Sequence, residues 1–176
     1  MKNHSERQIT RIIYSSWDFQ QALSSITFLI EECDFEKKYN KIELRKFRCF
    51  ESNFIISMSR PFQKSRGETT LSLKAFKSNI TREEQKLIDR ILTIRNKIIA
   101  HSDESEMYFK SDLISIDKSL EFPIIKFKET LNFEKEEYIR IESLLKKFLY
   151  NISKFLFTYS KENPDLFKKF KTPKSL

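Results

Sequence analysis

TREEQKLIDRILTIRNKIIAHSD, residues 81–103, is the stretch whose reading decides the fold. Thr81 and Glu84 form a capping box, in which the Thr hydroxyl accepts from the backbone and the Glu three residues later reaches back. Behind it run Leu87, Ile88, Ile91, Leu92, Ile94, Ile98 and Ile99, with no Gly or Pro before His101. At about 100° per residue, with Leu87 at zero, these side chains fill a sector from roughly −20° to 140°, which is the signature of an amphipathic helix. Asp89, Arg90, Thr93, Asn96 and Lys97 fall outside the sector. Arg95 falls inside it, at roughly 80°, between Ile88, Leu92 and Ile99. A guanidinium on an apolar face needs a carboxylate or a phosphate to meet it there. His101 follows where the polar and apolar faces join. A structural Arg and a His at the helix C-terminus, favoured by the helix dipole, would carry the same pattern.

Working outward, the 176 residues suffice for one domain with a substantial core. Seventeen Phe and a single Gly point to a Phe-rich helical core with few tight turns. The net charge of +8 suits an anionic partner such as RNA. No run of about 18 apolar residues suggests a membrane span, and Met1-Lys2-Asn3-His4 lacks the apolar core of a secretory signal. Cys33 and Cys49 have no metal-ligand spacing and read as reduced packing thiols of a cytoplasmic protein.

Upstream, residues 6–33 carry Ile9, Ile13, Trp17, Leu23, Ile26 and Ile30 at helical spacings, beside Phe28 and Leu29. His4 lies in a fraying end. A second helix is expected over 35–59, stopped by Arg60-Pro61 because a residue before Pro avoids the helical region. Leu44, Phe47, Phe50, Phe54, Ile55 and Met58 mark its buried side. Glu51 lies inside that side and Arg48 at its margin. The economical account is a buried network in which Glu51 meets Arg95 or Arg48, with Arg60 in support; a salt bridge that only fixes helix register is the other reading. Residues 63–78 read as a basic loop in which Lys64 and Arg66, together with Lys97 on the motif helix, could grip phosphates.

Downstream the period changes. Over 107–117 and 122–128 apolar residues alternate with polar ones, and Pro123 suits an edge, so a short β-hairpin or extended excursion is expected. Asn132 is placed as cap of the last helix, with Glu134, Glu136 and Glu137 in its first turn. Ile141, Leu144, Leu145, Phe148, Leu149, Ile152, Phe155 and Leu156 form its apolar stripe, ending before Asn163-Pro164. The chain thus divides into a helical domain, 1–163, and a basic C-terminal tail, 164–176, with Lys168, Lys169, Lys171 and Lys174.

Arg95, a polar residue at Asn96, and His101 after five intervening positions resemble the signature of the HEPN superfamily: Arg, four to six residues, His, on a helix of an all-α domain. Phe47-Arg48-Cys49-Phe50-Glu51 and Ser59-Arg60-Pro61-Phe62 resemble bacterial members of the abortive-infection kind. The resemblance covers 39–103 in sequence, and the rest in architecture. It implies an all-α, HEPN-like bundle of four long helices with a small β excursion between the last two. It further implies a metal-independent endoribonuclease acting as a toxin or antiviral defence effector. The partners it implies are RNA, a second copy joined through the motif helix, and an antitoxin or nucleotidyltransferase. In some members a Tyr two residues after the His is modified by that nucleotidyltransferase; here the position is Asp103, a departure from that mode of control.

The residues themselves fit such a chemistry. With two His in the chain, His101 is the one candidate for proton transfer near neutral pH. No Walker-type loop, dinucleotide-binding turn or metal-ligand cluster occurs, so neither cofactor nor metal is expected. RNA carries its own nucleophile, the 2′-OH. Cleavage then needs a proton-transfer group, His101, a cation whose fork fits phosphate, Arg95, and an orienting amide, Asn96. Two further readings use the same residues: a non-catalytic module that binds nucleotide or RNA, and a structural partner in a defence complex.

Overall fold

A computed structural model describes residues 6–64, 69–99, 109–115, 121–127 and 129–165. His4, Arg66, Ala100, His101, Asp103 and the lysines of the tail lie outside the described residues. The fold is mostly helical, with one two-stranded antiparallel hairpin. In order come α1 (Glu6–Glu32), α2 (Lys41–Ser59), a 3-10 turn (Arg60–Phe62), α3 (Arg82–Ile94), a π turn (Arg95–Ile99), β1 (Phe109–Ser115), β2 (Glu121–Phe127) and α4 (Lys135–Glu162). Among the described residues no helix is long and apolar enough to cross a membrane.

α1 is the central rod and packs on both α2 and α4. Its partners show that both run antiparallel to it. Lys46 reaches Glu32, Asn53 reaches Ser25, and Arg60 reaches Asp18 at 3.5 Å, so α2 descends as α1 ascends. Thr27 donates to Glu142 at 3.1 Å, and Phe19 lies 5.2 Å, ring to ring, from Phe148. The apolar side of α1 is lined by Ile9, Ile12, Phe19, Ala22, Ile26 and Leu29, all fully buried. Ile13 is only partly buried, and Trp17 and Phe28 stand in solvent. The expected apolar face was therefore rotated away from the true one.

α2 starts later than expected. Asn40 forms a capping box with Glu43, and the residues before it are turns. Its end also departs from expectation. Arg60 keeps helical angles, φ −50° and ψ −45°, although Pro61 follows. The Arg60 N–H still reaches the Ile56 carbonyl, and Pro61 enters at the start of a new 3-10 turn, where a missing N–H costs little. Beyond it the expected basic loop is partly core: Leu71, Phe76 and Ser78 are buried, and Phe76 packs edge-on against Phe148.

α3 begins at the Thr81–Glu84 capping box, as expected. It docks on α4 through Glu84, which takes both bonds of Lys147 at 2.9 Å. Arg90 adds an ion pair to Glu137, a bond of 2.6 Å to the Asn132 carbonyl, and a cation–π contact with Phe133 at 4.6 Å. α4 is capped by Glu134 with Glu137, not by Asn132. The hairpin pairs Phe109 with Phe127 and Leu113 with Pro123. One of its faces holds Phe109, Leu113, Pro123, Ile125 and Phe127, and all five are exposed.

Candidate active site

The site is assembled where the π turn after α3 meets α2 and the residue that follows the 3-10 turn, which in turn packs on α1. α3 stops being α-helical at Ile94. The next five residues, Arg95–Ile99, form a π turn, in which each bond spans one residue more than in an α-helix. Such turns are frequent at functional positions. Arg95 itself keeps α-helical angles, φ −56° and ψ −46°, and its N–H still reaches the Ile91 carbonyl, so the change of pitch acts only beyond it. The side chain is half-buried rather than at the centre of the apolar face.

No carboxylate meets Arg95 among the described residues. Its Nη1 donates instead to Oδ1 of Asn96 at 3.1 Å. The same oxygen accepts from Nε2 of Gln63, at 2.9 Å. Gln63 is the first residue past the 3-10 turn, so the Arg60–Phe62 segment is tied directly to the motif through this amide. With its oxygen held by two donors, the Asn96 side chain has its NH2 group left to donate among the described residues. Lys64, next to Gln63, and Lys97, on the π turn, are both exposed.

Arg60 closes the group on the other side. Its Nη1 faces Oδ1 of Asp18 at 3.5 Å, and its carbonyl accepts from Arg11. Asp18 is 8% exposed. Burial raises its pKa, and the charges of Arg60 and Arg11 offset only part of the rise. Arg11, Asp18 and Gln63 were not foreseen. Asp18 could have been found from the sequence had the apolar face of α1 been phased correctly, because it then adjoins Phe19, Ala22 and Ile26.

The expected single network of Arg48, Glu51, Arg60 and Arg95 is two separate groups. Glu51 is buried, at 2% exposure, as expected, but it is solvated by neutral donors. Its Oε1 accepts from the Asn132 N–H at 2.6 Å and the Tyr138 hydroxyl at 2.5 Å, and Oε2 accepts from Nδ2 of Asn132 at 2.8 Å. Asn132 is thus a ligand of Glu51 rather than a helix cap. Arg48 adds only attraction from a distance and forms its own pair with Glu129, at 3.5 Å, beside Arg45. Arg95 takes no part. This cluster joins α2 to the start of α4 and is a structural element, apart from the Asn96 junction.

Burial holds the Glu51 pKa above the usual carboxylate value of 4.5, although Tyr138 and Asn132 favour the anion. The Tyr138 hydroxyl is pushed upward too, by burial and then by the Glu51 charge. A carboxyl whose folded pKa is raised binds its proton more tightly in the native state. The stability this provides is complete below 4.5 and is lost as pH rises through the raised value. Glu84 moves the opposite way: burial opposes ionisation, but bonds from Lys147 and Thr81 outweigh it and lower the pKa. Melting curves of wild type and Glu51→Gln, taken from pH 4.5 to about 8, cancel the Glu84 contribution. The advantage of wild type over Gln is expected to be largest at the acid end; an advantage that grows with pH would contradict the raised value.

Comparison with protein-family models, with curated proteins and with solved structures finds no match to this chain.

Proposed function

We propose that the chain is a HEPN-like, metal-independent endoribonuclease that acts as a toxin or phage-defence effector. The observation that carries this reading is the amide junction. Asn96, adjacent to Arg95, has its oxygen fixed by Gln63 and Arg95, so its NH2 group is a pre-positioned donor beside a guanidinium fork. Arg11 and Arg60 meet at the neighbouring 3-10 turn, and the whole chain is basic. A planar fork plus an oriented amide donor matches the oxygens of a phosphodiester.

In this mechanism the 2′-oxygen forms a bond to phosphorus while the bond from phosphorus to the 5′-oxygen breaks. Arg95 and Asn96 hold the non-bridging oxygens, on which negative charge builds. His101 moves the proton, either from the 2′-OH or to the departing 5′-oxygen, and a second copy supplies the complementary group. The second copy follows from the HEPN resemblance, in which motif helices pair across a dimer. Leu87, Leu92 and Ile99 are half-buried on the same stretch and offer apolar surface for that pairing. Light scattering on the active enzyme checks this: full activity from a monomer would remove the composite site.

The test of the reaction is end-group chemistry. Purified protein should cut single-stranded RNA in EDTA and leave DNA intact. The 5′ fragment should end in a 2′,3′-cyclic phosphate or its opened monophosphate, and the 3′ fragment should begin with a 5′-OH. One 2′-deoxy substitution at the cut should abolish cleavage there. Cleavage that stops on chelation would overturn the mechanism, and RNA binding without any cleavage would leave a binding module.

A further inference from the structure

The chain contains one Trp, and the structure leaves it 61% exposed, at Trp17. Tyr14, one turn earlier on α1, is 63% exposed. Large aromatics on a rigid helix, in a chain with a well-filled core, point to an external contact. Neither ring meets another aromatic ring among the described residues. Their position is what makes them informative. Arg11 and Asp18 mark the line on α1 that faces the Arg60–Phe62 turn. At about 100° per residue, Tyr14 lies roughly 60° around the helix from Arg11, and Trp17 roughly 120°, on the same side. Arg7 lies within about 20° of Tyr14. The two rings therefore form a stripe that begins beside Arg11, at the Arg60–Phe62 turn, and leads away over the surface.

We propose that Tyr14 and Trp17 are a base-stacking platform for the unpaired bases of an RNA strand whose backbone reaches Arg95 and Asn96. This rests on the ribonuclease reading and names how its substrate is held. Side chains at i and i+3 stand about 5–6 Å apart, a step that successive unstacked bases can follow. Arg7, within about 20° of Tyr14, and Arg11, about 60° from it, provide the positive charge for the phosphates beside the rings. Asp18, engaged by Arg60, and the exposed Glu6 are the opposing charges on this part of α1. A duplex hides its base faces, so the platform selects single strands. Local charge argues against a second copy seated on this stripe, since a two-fold there would bring Arg7 and Arg11 against their own counterparts.

A lone Trp makes the test direct. In His101→Ala protein, which is not meant to cut, Trp17 emission is followed during titration with a short unstructured RNA and with its duplex. Quenching by the single strand, and not by the duplex, is the expected result. Anisotropy of labelled RNA should show Tyr14→Ala and Trp17→Ala each weakening binding roughly 5- to 100-fold, with Trp17→Phe close to wild type. Both positions are exposed, so melting curves should be unchanged. RNA binding without quenching, or equal affinity in both Ala variants, would overturn the platform. So would emission that shifts to the blue as protein concentration rises without RNA, which would assign the stripe to a second copy. If the wild type is quenched by RNA but never cuts it, the platform stands and the nuclease reading falls. If it cuts RNA without quenching, the reverse holds.

Discussion

Glu51→Ala is expected to lower the unfolding free energy by about 3–5 kcal/mol. The figure follows from what the carboxylate holds. The substitution strands the Asn132 N–H, the Asn132 amide and the Tyr138 hydroxyl, each costing about 1–3 kcal/mol when buried without a partner. It also leaves a void between α2 and α4. Tyr138→Phe removes one donor and should cost about 0.5–1.5 kcal/mol, since Glu51 retains Asn132. Glu51→Gln should fall between the two, because its amide nitrogen would confront Nδ2 of Asn132. Urea unfolding of the three variants at neutral pH measures the series. An Ala variant within about 1 kcal/mol of wild type would mean that the cluster is solvated in solution. RNA cleavage at temperatures well below the melting point should be unaffected by Tyr138→Phe, since this cluster does not touch the Asn96 junction.

The second large effect is on rate. His101→Ala should slow cleavage by about 10²-fold or more, the usual loss when a proton-transfer group is removed. Arg95→Lys keeps the charge but loses the fork and the bond to Asn96, and should be poorly active with an unchanged melting curve. Gln63→Ala offers a graded control: it frees one side of the Asn96 oxygen and should depress kcat less than either. Full activity in His101→Ala would sink the mechanism. Full activity in Arg95→Lys would show that a point charge suffices and that the amide junction is not needed.

Much of the architecture is legible from residue spacing. The Thr81–Glu84 box, the long stripe of α4 and the alternation around Ile114 and Ile125 are local signals, and local hydrogen bonding or packing reproduces each. The errors have physical causes. On α1, Trp17 was counted as core because large apolar residues are usually buried, and that shifted the whole face away from Phe19 and hid Asp18. Glu51 was correctly placed on a buried face, yet its partners are an amide and a hydroxyl that lie 81 and 87 residues on, and no local pattern announces them. A buried carboxylate calls for donors, not necessarily for a cation. At the motif, Arg95 and Asn96 were legible as a pair, while Gln63 was not, because its role depends on the chain continuing through Pro61. The projection of Arg95 indicated a side and not a depth: the side chain is half-buried, and a polar neighbour, Asn96, meets it where a carboxylate was expected.

That π turn bears on how the motif is to be compared between chains. A π turn accommodates one extra residue between levels of the helix that an α turn would join directly. In an alignment it is indistinguishable from a one-residue insertion. The segment Arg95–Ile99 is therefore the equivalent of a one-residue insertion absorbed by the backbone directly after α3. Two proteins that space an Arg and a later polar group differently along the chain can still present them in one direction, provided one of them carries such a turn. Letter spacing is then a poor ruler for this motif, and the hydrogen-bonding register of the backbone is the better one.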